Sequence, residues 1–403
     1  MVTLANLREQ EYPELNNIQF LDAACVSLIP QRTVKKLKNF IDYCSKNEEE
    51  SSSVHHINMD RMRGKAYEEA AKLLNADVEE IALVESTTHG LNIAATSCKL
   101  KAGDKVLTTS LEFLQVAMPW CVMRKTHGIT IDVVEGKNGK FFFEDFREKL
   151  DDKVKLVVLS SVQWCNGWKI DMKELGDYCK SKGIWLVVDA IQEMGVFKID
   201  VKKFHADFIV AGGHKWMNSP FGTGILYINK ETLKKIEPVF WGYLNTVDPP
   251  GGWATYFGTP SIKSVNDWEF LPSAKRFEIG GTTNYVGAIS LGESLGLVNE
   301  IGIENIQKHV FDLTEYCLDN LEKLGVKLTT HRDPDHRSGV VVFRAFDTLE
   351  EDEKLLKFIL SKKIFLAMRY TNNIGGIRIS CQYYNTKKDL DVLFAAIKEY
   401  LGK

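Results

Sequence analysis

At 403 residues the chain is long enough for two domains around a large core. Its net charge of −3 gives no electrostatic reason to expect nucleic acid or an anionic membrane as partner. No apolar run approaches the roughly 20 residues that span a bilayer, the first ten residues lack a signal-peptide core, and eight scattered cysteines without a CxxC pair argue for reduced thiols rather than disulfides or a zinc site. A cytoplasmic, globular enzyme without metal is the expectation.

Residues 1–20 read as an arm leading to the short apolar segment Ile18-Gln19-Phe20-Leu21, which ends at Asp22-Ala23-Ala24. Residues 31–44 are helical in pattern behind Pro30. The run 48–53 reads as a solvated loop, and 61–74 again has helical apolar spacing. Strands and helices then alternate. Strands are expected over 81–84, 105–108, 130–134, 154–160, 185–188 and 208–211, with helices from 91 and over 113–125, 143–150 and 172–182. Such alternation implies a mostly parallel sheet with helices on both faces. Residues 236–275 lose clean periodicity and read as a long ordered loop system. A helical stretch over 285–324 leads to a smaller α/β unit, with strands at 339–343 and 376–380, a helix at 349–362 and a terminal helix from Thr386. The expected organisation is an arm (1–20), a large domain (21–284) and a small C-terminal domain (285–403).

Two of the strands carry chemistry. Val187-Val188-Asp189-Ala190-Ile191-Gln192 closes an apolar run with an acid. Asp207-Phe208-Ile209-Val210-Ala211-Gly212-Gly213-His214-Lys215 closes another with two glycines, a histidine and a lysine. Buried carboxylates and ammoniums are costly unless they face a partner, so both charges are expected to face one polar object. An acid that keeps a pyridine nitrogen protonated, with a lysine that attaches the cofactor covalently, is what pyridoxal phosphate (PLP) requires. Ser86-Thr87-Thr88-His89-Gly90 lies between a strand and a helix, where backbone N–H groups and the helix dipole suit a phosphate.

The run 207–215, followed after six residues by Gly222-Thr223-Gly224-Ile225-Leu226, resembles the PLP-lysine signature of the class V aminotransferases. That group also contains cysteine desulfurases, selenocysteine lyase, kynureninase and isopenicillin N epimerase, and the resemblance covers nearly the whole chain. It implies PLP fold type I: a large domain with a mostly parallel sheet of the seven-stranded type and a smaller C-terminal α/β domain. It also implies PLP as cofactor, an amino acid as substrate and a homodimer with shared sites. On that resemblance Lys215 is the cofactor-bearing lysine and the base at the substrate Cα, and Asp189 pairs with the ring nitrogen. Gln192 donates to the ring's phenolate oxygen. Thr88 and the His89 backbone hold the phosphate with His214 nearby, and Thr282, in Gly280-Gly281-Thr282-Thr283, completes the phosphate site of the partner subunit. Arg378, in Gly376-Ile377-Arg378-Ile379-Ser380, clamps the substrate carboxylate through its two-pronged guanidinium. Arg369 sits near a second family arginine, and Gln163 and Trp164 meet either substrate or cofactor, or are structural.

The departures bear on the reaction. Phe113 stands where many desulfurases place a ring-stacking histidine, and Phe can stack but cannot shuttle protons. Gly212 stands where they usually place a phosphate-binding serine. The segment Arg369-Tyr370-Thr371-Asn372-Asn373-Ile374-Gly375-Gly376, where desulfurases carry a mobile nucleophilic cysteine, contains none, and Cys381 reads as core. The aromatic loops at 240–243 look closer to the isopenicillin N epimerase-like branch. The expectation is Cα deprotonation by Lys215 followed by β-elimination, C–S cleavage included, or epimerisation. Transamination with an oxo-acid is the alternative, and a desulfurase or a silent scaffold ranks lower.

Overall fold

The computed structural model describes residues 2–403. Seven strands form its central sheet: β1 (Ile81–Val84), β2 (Lys105–Thr109), β3 (Thr130–Val134), β4 (Val154–Ser160), β5 (Trp185–Asp189), β6 (Phe208–Gly212) and β7 (Gly224–Ile228). They lie in the order β1-β7-β6-β5-β4-β2-β3. β7 runs antiparallel to both neighbours, and the other pairings are parallel. The apolar runs explain the architecture, because a strand covered on both faces has no polar side. Alternate residues of one strand serve different cores: Leu156 and Val158 pack with Leu91 and Trp120 on one face, while Val157 and Leu159 pack with Leu291 and Leu313 on the other.

The smaller unit is an antiparallel sheet in the order Ala367–Thr371, Ile374–Ser380, Val340–Arg344, Lys327–Leu328. The first two strands form a hairpin whose two turn residues, Asn372 and Asn373, both have positive φ (48° and 62°). That is the backbone of a tight two-residue hairpin turn, and Asn tolerates it better than most side chains.

Three local expectations are corrected. The stretch 285–324 is two helices, Tyr285–Ile301 and Ile303–Lys323, parted at Gly302 with φ 90°. The 48–53 run leads directly into a helix, Ser52–Arg61, because Ser51 caps it by accepting from the Val54 N–H. The helix expected over 61–74 is Gly64–Leu74. The arm is ordered: Gln19–Phe20 pairs in parallel with Ile364–Phe365, and Arg8 bonds Asp389 at 2.6 Å. Helix Tyr285–Ile301 packs on Gly64–Leu74 and Gln31–Cys44. No helix is long and apolar enough to cross a membrane, and among the described residues no group of three or more His, Cys, Asp and Glu is placed to hold a metal ion.

Candidate active site

The C-terminal ends of the parallel strands converge on one cleft, where open α/β sheets place their ligands. Asp189 closes β5, and Lys215 follows β6 in a turn. Asp189 is buried, and its carboxylate accepts from the Ile191 N–H at 2.9 Å. Burial pushes its carboxyl up, opposed by Ile191 and the Lys215 charge, while the charge of Glu112 adds to the rise. Burial likewise pushes the Lys215 amine down, partly offset by Asp189. The two charges lean on each other without forming an ion pair. Phe113 borders the same space, with Lys215 Nζ 5.9 Å from its ring centroid and Trp164 packed edge-on against it at 5.2 Å.

At one end of this space lies the N-terminus of helix Thr87–Ser97. Ser86 caps it by accepting from the His89 N–H at 3.2 Å, so that amide is already engaged, while the Thr88 side chain is exposed. Thr87 Oγ1 accepts from the Gly212 N–H at 2.9 Å and ties the helix start to β6. His89 Nε2 is buried without a partner, and burial holds that ring neutral. His214 stacks on Phe221 at 4.9 Å, and burial with the nearby Lys215 pushes its pKa down to about 4. A Cβ at Gly212 would lie 3.1 Å from both the His214 ring and Thr87 Oγ1, which accounts for glycine where a serine was the family expectation. Thr282 is exposed, next to Thr283, whose hydroxyl donates to Glu85 at 3.0 Å.

Two predicted residues are occupied by the protein itself. The Trp216 indole, which can only donate, bonds Gln192 Oε1 at 2.8 Å and so fixes the orientation of that amide. Gln192 Nε2 donates to the Ala24 carbonyl at 3.1 Å, leaving one N–H for a cofactor oxygen. Gln163 is fully buried and spends its Nε2 on Thr109, Glu112 and the Ser160 carbonyl. Glu112, which the sequence reading used only as a landmark, accepts from Thr109 (2.7 Å), from the Ser160 hydroxyl (2.6 Å) and from the Ser160 N–H (3.0 Å), and burial raises it.

Arg378 reaches the cleft from the small unit with its side chain 1% exposed. Its guanidinium donates to the Trp164 carbonyl and to Asp22, both at 3.1 Å, and Nε has no acceptor. Burial raises Asp22 and lowers Arg378 despite their pairing, so desolvation outweighs the attraction within the pair. Asp22 opens a turn, with the Cys25 and Val26 N–H groups on its carbonyl. Arg369 donates to the Met368 carbonyl at 2.9 Å and to Cys25 Sγ at 3.8 Å. Sequence reasoning missed Asp22 and Cys25; the only local signal was an acid closing an apolar segment.

These residues fit a pyridine cofactor on structural grounds. A buried carboxylate that forms no ion pair, a half-buried lysine whose charge bears on it, an aromatic face and a capped helix start surround one space. Asp189 would hold the ring nitrogen, Lys215 the cofactor carbon, Phe113 the ring face, and the Thr88 and His214 region the phosphate. The fold and the site define a PLP-dependent enzyme of fold type I. The chain belongs to the class V aminotransferases, whose family model (Aminotransferase class-V) matches residues 19–393, and PLP is its cofactor. It is 28% identical to a probable cysteine desulfurase of Pyrococcus abyssi, over 97% of this chain and 96% of that one. It is 29% identical to one of Halalkalibacterium halodurans, over 95% and 94%. Among solved structures, the apo cysteine desulfurase of Thermococcus onnurineus NA1 superposes with a TM-score of 0.85 at 25% identity, covering 100% and 99% of the two chains. The cystine C–S lyase C-DES in complex with cysteine persulfide has the same TM-score at 21% identity, covering 96% and 99%.

Proposed function

We propose that the chain cleaves the Cβ–S bond of cysteine or a cysteine-like amino acid. The observation that carries this reading is the Arg378–Asp22 pair in the Lys215 cleft, for the Arg378 charge bears directly on Lys215. A substrate carboxylate can take the place of the Asp22 carboxylate on the guanidinium, which presents the substrate Cα to the Lys215 amine. PLP supplies an electron sink next to Cα. Burial favours the neutral form of the Lys215 amine, the form that accepts a proton from Cα. Glu112 and Asp189 stay clear of the substrate: Asp189 sets the charge under the cofactor, and Glu112 pins the loop that carries Trp164. The names of the relatives favour sulfur at Cβ over an epimerase outcome. Transamination would need an oxo-acid to close its cycle.

The working unit we propose is a cytoplasmic homodimer. Leu114, Met118 and Val122 form an exposed apolar stripe at a spacing of four on one helix, and Phe221 and Trp241 are also exposed. This surface and the exposed Thr282 suit a second copy. The test of the reaction is incubation of the PLP-loaded protein with cysteine and cystine, with and without added oxo-acid. Release of pyruvate or alanine, with sulfur, in the absence of an oxo-acid is expected. Turnover that requires the oxo-acid would replace this reading with transamination.

A further inference from the structure

Cys25 differs from every other thiol in the chain. Cys98, Cys165, Cys179, Cys317 and Cys381 are buried, and burial pushes Cys165 and Cys381 up to about 12. Cys44 lies on helix Gln31–Cys44 beside Met59, and Cys121 on helix Leu114–His127, both away from the cleft. Cys25 is exposed, lies near enough to Lys215 to bear on its charge, and is contacted by Arg369.

The turn that carries it is pinned on three sides by residues adjoining the site. Ser27 N–H donates to the His214 carbonyl at 2.8 Å, next to Lys215. Gln192 holds the Ala24 carbonyl at 3.1 Å, three residues beyond Asp189. Ser380 N–H donates to the Leu21 carbonyl at 2.8 Å, two residues beyond Arg378. Arg369 then donates to the sulfur itself at 3.8 Å. The same pocket holds a second sign of a ligand: the deeply buried Arg378, on whose charge Cys25 bears, keeps Nε without an acceptor. The alternative carrier is missing. Residues 369–376 form two strands joined by Asn372-Asn373, with neither a thiol nor slack in the turn.

The geometry points to Cys25 as the acceptor of the substrate's sulfur, an inference that rests on the C–S cleavage proposed above. The Cys25 sulfur attacks the substrate Sγ. An S–S bond forms and the Cβ–Sγ bond breaks, its electron pair staying with carbon. That carbon takes a proton and becomes the methyl group of alanine, while the enzyme is left with a Cys25 persulfide. One sulfur atom moves, the transferred sulfur is oxidised as the carbon is reduced, and no outside oxidant is needed. Because the turn is fixed, the sulfane sulfur stays within the cleft, and a thiol or other reduced sulfur acceptor must enter to remove it.

The test is peptide mass mapping of PLP-loaded protein mixed with cysteine, without reductant, and trapped with an alkylating agent. The Cys25 peptide is expected to gain the mass of one sulfur atom, with alanine formed in equal amount. Cys25→Ser is expected to lower alanine formation by about 1000-fold or more, with its circular dichroism and PLP absorbance intact. Pyruvate and free sulfide with unmodified Cys25, or the extra sulfur on another cysteine, would overturn the assignment and leave C–S cleavage standing. Absence of any C–S cleavage would overturn both.

Discussion

Two sets of buried charges meet in the cleft, and the protein treats them differently. Asp189 and Lys215 perturb each other but form no ion pair, and burial drives both toward neutrality. Arg378 and Asp22 are bonded at 3.1 Å, yet burial still outweighs their attraction. Leaving a buried charge without a partner costs several kcal/mol. On the proposed function, the first set marks the place of a permanent guest, whose own charges would complete it. The second already has a stand-in partner that a transient guest can displace. On that reading, cofactor and substrate would be distinguished by how far the protein's own groups already satisfy the residues that meet them.

The first way to test this contrast is to remove Lys215. Lys215→Ala is expected to lower turnover of cysteine by about 10²–10⁴-fold and to abolish the visible absorption band of the PLP-loaded protein. A variant that keeps both would exclude Lys215 from the cofactor's place. A smaller effect is expected at the exchangeable pair. Arg378→Lys replaces a two-point contact with a single charge and should lower kcat/KM by about 10–100-fold, largely through KM. Asp22→Asn removes the competitor for the guanidinium and should tighten binding of a substrate carboxylate in equilibrium titrations. If it weakens binding instead, the pair is structural and the contrast fails.

The smallest effect concerns stability. Burial raises Asp189 above its unfolded value, so its contribution in the cofactor-free protein is complete below the ordinary carboxylate range. It is lost as pH climbs through the raised value. Asp189→Asn should therefore flatten the decline of the cofactor-free melting temperature between the ordinary carboxylate range and about pH 7 by a few degrees, while weakening PLP retention. Thermal melts of both proteins across pH read this directly. An unchanged pH slope would mean that Asp189 pays no burial penalty.

What the sequence disclosed follows the range of the interactions. The parallel strands were legible because burial on both faces leaves continuous apolar runs, and Asp189 and Lys215 because each ends such a run. β7 was not expected as a strand: Gly224–Ile228 entered the sequence reading only through its glycine motif, and its reversed pairing depends on β1 and β6. The break at Gly302 was lost within two apolar helical patterns, though positive φ is the natural use of a glycine there. The loop 23–28 was expected to bear on substrate choice, but the contacts of Asp22 and Cys25 and the occupation of Gln192 by Trp216 could not be read, because nothing in the local pattern shows which distant groups will meet them. Arg369 was named through a family position. Its contact with Cys25 exists only because the arm folds back across the small unit.

The 356 positions between Asp22 and Arg378 also set the order of events in time. The site needs the turn after the arm, the ends of β5 and β6, and a strand of the small unit. Closing contacts so far apart in sequence is slow and comes late. During synthesis the seven strands can assemble around Lys215 before Arg378 exists. On the proposed function, a nascent chain that could hold the cofactor would precede one that could hold an amino acid, so the order of synthesis would itself separate cofactor loading from substrate binding.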